Sequence, residues 1–301
     1  IRDNLLTQMS KCRIGTTIID ALKLCYMVNV GDLSRLMELD YGHYDIIENV
    51  RLLRVTSQHF AYCFNVLYDT DEDRREVAQL RFCRYGEKET DIIYTFLHVS
   101  NSVLYDCKLF DMVLKLPENL GMVFHNITAI DLAKDFTNIN PVSLIRKMYK
   151  DKNITTIINS KAVRDRKQTI IGLSQTYSIS LDRLKNPTIS VKQVKALHNK
   201  AKGITVCAYN KHAEIEESEK DYILNYYDNP KKLHRLEVHL NSQEVTDYFK
   251  HLGKIQDLTL LADSNFRDYM YFYHLSSVIR FSKGRNPLPW SDLLQCTGRE
   301  I

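Results

Sequence analysis

Three short stretches hold side chains that could act on a phosphodiester: "NITAIDLAKDF" (126–136), "TVCAYNKHAEIE" (205–216) and "HRLEVHL" (234–240). Each alternates apolar and polar residues, the pattern of a half-buried strand, whose successive side chains point to opposite faces. In the second stretch Ile204, Val206 and Ala208 share one face, and Thr205, Cys207, Tyr209 and Lys211 the other. In the third, Leu236, Val238 and Leu240 oppose Arg235, Glu237 and His239. Asp131 stands between Ala129 and Ala133, two small residues that leave room around a carboxylate. If the apolar faces of neighbouring strands are buried under helices, the polar faces converge. Asp131, Tyr209, Lys211, Arg235, Glu237 and His239 then line one surface.

Such a set can hold a hard divalent cation, Mg²⁺ or Mn²⁺, on Asp131 and Glu237, with Glu214 or His239 as third ligand. A cation there polarises a phosphoryl oxygen, a nearby tyrosine can attack phosphorus, and Lys211 can neutralise the developing charge. The same spacing also fits an exposed ion-pair ladder across strands, and His239 fits a sheet histidine as well as a ligand. Asp135 shares the Asp131 face but lies about 13 Å along an extended strand, too far to bind the same ion. Tyr222 and Tyr226, four apart on a predicted helix, read as core packing or as a presented tyrosine pair.

These strands belong to a chain of 301 residues, 44% hydrophobic and 26% charged, with a formal net charge of +4. That composition fits a globular fold with a real core. Seven scattered cysteines with no CxxC pair argue against a disulfide framework and a zinc ribbon, and for a reducing cytoplasm. The most apolar early stretch is broken by Asp20 and Lys23, which excludes a membrane span there. Six basic residues and no acid fall between Arg183 and Lys202, whereas acids gather in 69–76 and 214–221. Segregation of this kind points to a phosphate-bearing partner, with Lys192, Lys195, Lys200 and Lys202 as contacts.

Further strands are predicted at 16–28, 77–85, 91–99, 153–159, 168–173 and 256–262, and helices at 140–150, 241–252 and 264–281. A helix is also predicted over 189–203, capped by Ser190 and stopped by Gly203. Strands and helices without a βαβ rhythm indicate an α+β fold, a largely antiparallel sheet with helices on one face. The core is expected over 1–250, with 251–301 as a C-terminal strand and helix extension.

"ITAIDLAKDF", "VCAYNKHAEI" and "LHRLEVHLNSQEV", together with "TIIDALKLCYMV" near the start, resemble the replication initiation factors of rolling-circle plasmids and filamentous-type phages. That family carries Asp-Leu-Ala-x-Asp, Tyr-x-Lys-x-x-Glu and Arg-x-Glu, matched here by Asp131 to Asp135, by Tyr209, Lys211 and Glu214, and by Arg235 and Glu237. The resemblance implies a fold related to the His-hydrophobic-His nicking enzymes, with acids in place of the histidine ligands. It also implies metal-dependent nicking of origin DNA through a tyrosine joined to the 5′ phosphate, and Arg235 on the DNA. A host helicase and a second copy of the chain are further expected partners. The chain departs from the family at Ile171, where the nucleophilic tyrosine is expected. Tyr177, six residues on, ranks ahead of Tyr209 as its replacement. A mobile-element primase and a non-nicking origin-binding protein are the alternatives.

Overall fold

The computed structural model describes residues 14–69, 74–83, 91–158, 161–162, 188–194 and 201–295. Its first half runs β1 (Thr17–Asn29), β2 (Tyr44–Ile47), β3 (Val50–Val55), β4 (Tyr62–Asp69), β5 (Arg74–Phe82), β6 (Ile92–Val99), α1 (Cys107–Asn119), β7 (Val123–Phe136) and α2 (Pro141–Lys150). The second half runs β8 (Ile154–Ile158), β9 (Lys161–Ala162), β10 (Ile189–Val194), β11 (Ala201–Asn210), α3 (Lys211–Ser218), α4 (Asp221–Tyr226), β12 (His234–Asn241), α5 (Ser242–His251), α6 (Ser264–Val278), β13 (Ile279–Lys283) and β14 (Asn286–Leu288). The fold is α+β, with a large antiparallel sheet and several helices. Among the described residues, no helix is long and apolar enough to cross a membrane.

Two compact units divide the chain. The first holds Asp20–Ile130 and Val245–Gln256; the second holds Asp131–Glu244 and Asp257–Ile301 with the start of β1. Residues 251–301 are thus shared between them. In the first unit the strand order is β7–β1–β6–β5–β4–β3–β2. Leu24, Leu52, Phe64, Val66, Leu80 and Leu97 fill its core, each with 0% exposure. All six lie at alternate positions on one face of their strands, so the buried face follows from the period-two pattern.

The second unit carries β10–β11–β12–β7 in one sheet and β14–β13–β8–β9 in another. Two of its helices begin where the sequence predicts. Asn140 accepts from Ser143 N at 3.1 Å with Pro141 at the first helical position of α2, the geometry of an N-cap that satisfies one orphan amide. Asp263 likewise caps α6, accepting from Asn265 N at 2.9 Å.

Two sequence expectations give way. Residues 189–194 form β10, paired antiparallel with β11 from Ile189↔Ala208 to Val194↔Ala201, not the start of a helix. Ile189 and Val191 are buried two residues apart, so alternation outweighs the apparent helical spacing. Gly203 is not a helix stop: a Cβ there would sit 1.8 Å from Asn241 Cγ, so the side chain capping the next helix needs that space. Residues 258–262 form a 3₁₀ turn instead of a strand, opened by Asp257 accepting from Thr259 N at 2.8 Å. The expected strand at 168–173 lies outside the described residues.

α6 places His274 in the second unit's core with 2% exposure, where burial pushes its imidazole from 6.5 down to about 4. The folded state therefore prefers the neutral ring, and the unfolded chain takes up the proton first as pH falls through 6.5. The His274 contribution to stability should be level above that value and drop by about 2 kcal/mol between pH 7 and pH 5. Urea unfolding of the wild type and of His274→Leu at the two pH values measures it, and the variant should lose that part of the slope.

Candidate metal and phosphate site

β7, β11 and β12 bring the chemistry together. Cys207 pairs with Glu237, Thr205 with His239 and Tyr209 with Arg235 across β11 and β12. The face read from alternation is therefore a real one. On it, His239 Nδ1 lies 2.9 Å from Asp131 Oδ1 and His239 Nε2 lies 3.4 Å from Glu237 Oε1. Tyr209 donates its hydroxyl to Glu237 Oε2 at 2.6 Å. One ligand atom each from Asp131, Glu237 and His239 falls within 4.8 Å of the others.

A further contact fixes the strands in register. Arg235 donates from Nε to Asp135 Oδ1 at 2.7 Å and from Nη2 to Asp135 Oδ2 at 2.6 Å, and Tyr227 donates to the same carboxylate at 2.9 Å. Asp131 and Asp135 are four apart on β7; their partners His239 and Arg235 are four apart on β12 in the opposite direction. Each contact thus enforces the other, and Ala133, midway between the two aspartates on the same strand, is fully buried.

Electrostatics follow from this packing. Burial alone would lower the His239 imidazole, but hydrogen bonds to Asp131 and Cys207 and the charges of Glu237 and Asp131 push it up to about 11. The imidazolium stands between two carboxylates, where positive charge is wanted. Once His239 gives up its proton, two carboxylates and one imidazole also suit a divalent cation, and the nitrogen donor favours Mn²⁺ over Mg²⁺. The chemistry of the donor set fits such an ion, held by Asp131, Glu237 and His239.

The remaining expected residues are placed differently. Lys211 is the first residue of α3, not part of a strand, and its side chain is 2% exposed, bound to Glu214 Oε2 at 2.6 Å. Lys220 holds the other Glu214 oxygen at 2.8 Å. Burial raises the Glu214 carboxyl, yet the hydrogen bonds from Lys211 and Lys220 carry it below its ordinary value. Glu214 is thus occupied by two ammonium groups and is not among the clustered ligands. Arg235, expected on DNA, has 0% exposure and serves Asp135 instead. Lys192 lies in β10 and Lys202 in β11, whereas Tyr177, Lys195 and Lys200 lie outside the described residues. Cys207 and Tyr227 were not assigned roles from sequence; Cys207 was legible, because it alternates with Tyr209 on the same face.

A polar cavity of about 470 Å³, lined in part by Asn140, Asn210, His212, Lys232 and His234, opens at the ends of the same strands. His234 alternates with Glu237 and His239, so it points to the opposite face, and the cavity does not contain the cluster. Scans against protein-family models, curated proteins and solved structures return no match to this chain.

Proposed function

We propose that this protein is a metal-dependent DNA nicking enzyme of the rolling-circle initiator kind, with its cation site on Asp131, Glu237 and His239. The observation that carries the reading is a tyrosine hydroxyl 2.6 Å from a carboxylate that itself belongs to a three-ligand cluster. A bound divalent cation would polarise the scissile phosphate there. The chain's own residues do the rest: Asp131 and Glu237 supply negative charge, and the protonated His239 holds both in place until it gives up its proton on metal binding. Tyr209 orients Glu237 through its hydroxyl. This role sits better with a mid-sheet residue than carrying a covalent strand, so the nucleophile is assigned to Tyr177.

The test uses a supercoiled plasmid carrying this chain's coding region and flanking sequence, incubated with Mn²⁺ and no nucleoside triphosphate. A protein–DNA adduct should form, vanish in Tyr177→Phe and weaken in Tyr209→Phe, with peptide mapping locating the bond. Origin binding without any adduct would favour a non-nicking initiator descendant, which Ile171 at the family's tyrosine position supports. Activity only with nucleoside triphosphates would favour a primase.

The basic residues Lys192, Lys195, Lys200 and Lys202 contact DNA phosphates in this reading. Each lost contact should lower the slope of log affinity against log salt by about 0.9 on duplex or about 0.7 on a single strand. Weakening should be alike for all sequences, since phosphates carry no sequence information. Anisotropy titrations of the quadruple alanine variant at several salt concentrations measure it, and an unchanged slope would return these lysines to solvent.

A further inference from the structure

The first unit's sheet has a second face, opposite its core, with an unusual makeup. Across β1, β6 and β5 the paired rows are Lys23↔His98↔Gln79 and Cys25↔Phe96↔Arg81, with Met27↔Tyr94 beside them. No acidic residue stands at any of these positions. Lys23 is exposed and Tyr94 is 46% exposed. Arg81 lies 5.5 Å over the Phe60 ring, which meets Phe96 edge-on at 6.0 Å. Neither Lys23 nor Arg81 has a carboxylate partner among the described residues; Arg81 instead donates to Gln79 Oε1 at 2.5 Å. Burial first, then the charges of Arg81 and Lys23 nearby, push the His98 imidazole down to about 4.

We infer that this face is a platform for single-stranded nucleic acid, with bases stacked on Tyr94 and on the part of Phe96 that Phe60 leaves uncovered, and phosphates drawn to Lys23 and Arg81. Charge complementarity selects the occupant: paired positions that hold cations and no acid, together with aromatic rings, fit a polyanion whose every unit has a flat π surface. A peptide would offer these cations no systematic partner. Duplex DNA hides its bases and would leave the rings unused. Three strands at their ordinary spacing make a surface about 10 Å across, enough for roughly two to four nucleotides. The platform lies in the first unit and needs neither the metal cluster nor the nicking reaction.

The test is anisotropy of a fluorescein-labelled 12-nucleotide oligo-dT with the full chain in EDTA, which silences any metal chemistry. Tyr94→Ala should weaken binding roughly tenfold, and Tyr94→Phe, which keeps the ring, should restore it. Lys23→Ala should lower the single-strand salt slope by about 0.7. Both side chains are exposed, and unchanged far-UV circular dichroism and melting would establish that the variants fold. Oligo-dT binding that neither alanine variant alters would overturn the platform and leave strand binding to the basic residues of 192–202. A wild-type chain that ignores oligo-dT but self-associates, with Tyr94→Ala abolishing it, would also overturn the inference, in favour of an interface between copies. Loss of the plasmid adduct with these results intact would reject the nicking reading alone.

Discussion

Asp135→Ala should lower the free energy of unfolding by about 3–5 kcal/mol, among the largest single losses this chain can suffer. Asp135 and Arg235 both have 0% side-chain exposure and meet through two parallel hydrogen bonds. Removing the carboxylate strands a guanidinium, which cannot lose its proton, where water does not reach. It also removes the acceptor for the Tyr227 hydroxyl. The reverse truncation, Arg235→Ala, should cost less than Asp135→Ala, because a buried carboxyl can take up a proton and neutralise itself. Replacing both by apolar residues of similar volume, Asp135→Leu with Arg235→Met, should recover much of the loss, since the desolvation cost then vanishes with the pair. Urea unfolding of the three variants and the wild type closes this cycle. Equal stability of Asp135→Ala and wild type would mean that the clamp does not hold β7 to β12. The double variant should keep its fold and register yet bind metal more weakly, because the clamp that braces β7 and β12 next to Asp131 and His239 is gone.

Asp131→Asn combined with Glu237→Gln should abolish metal-dependent stabilisation and reduce the proposed nicking by on the order of 10³-fold or more. The amides keep the shape of both side chains and can still accept from His239 and Tyr209, so the fold is spared while the charge is removed. In the wild type, Mn²⁺ at about a hundred times its dissociation constant should add roughly 2.7 kcal/mol to stability. In the double amide variant the melting temperature should not respond to Mn²⁺ at all. Glu214→Gln serves as the control: Glu214 lies between Lys211 and Lys220, so its loss should leave the Mn²⁺ response intact. A full Mn²⁺ response in the double amide variant would move the cation elsewhere in the chain. A lost response with nicking retained would separate the cation from the chemistry.

Local sequence pattern determined much of this. Alternation on 126–136, 205–210 and 234–240 placed Asp131, Tyr209, Glu237 and His239 on the correct faces, because side-chain direction in a strand depends only on the residue count. Caps at Asn140 and Asn241 marked α2 and α5 because a side-chain oxygen satisfies an amide two or three residues away, an interaction local to the sequence. Alternation failed where two periods competed: at 189–203 a β-branched run in a lysine-rich segment reads as a helix until β11 is there to pair with it. The partners of the charged groups were not legible. Arg235 and Lys211 looked like surface cations, yet one closes on Asp135, a hundred residues away, and the other turns into α3 to meet Glu214. Which carboxylate a cation meets depends on strand order and register, and these are set by the burial of whole faces summed over many residues. Tertiary structure alone therefore decided that Asp135 is the partner of Arg235, because the register that buries the apolar faces brings these two together in the dry interior and sets His239 beside Asp131.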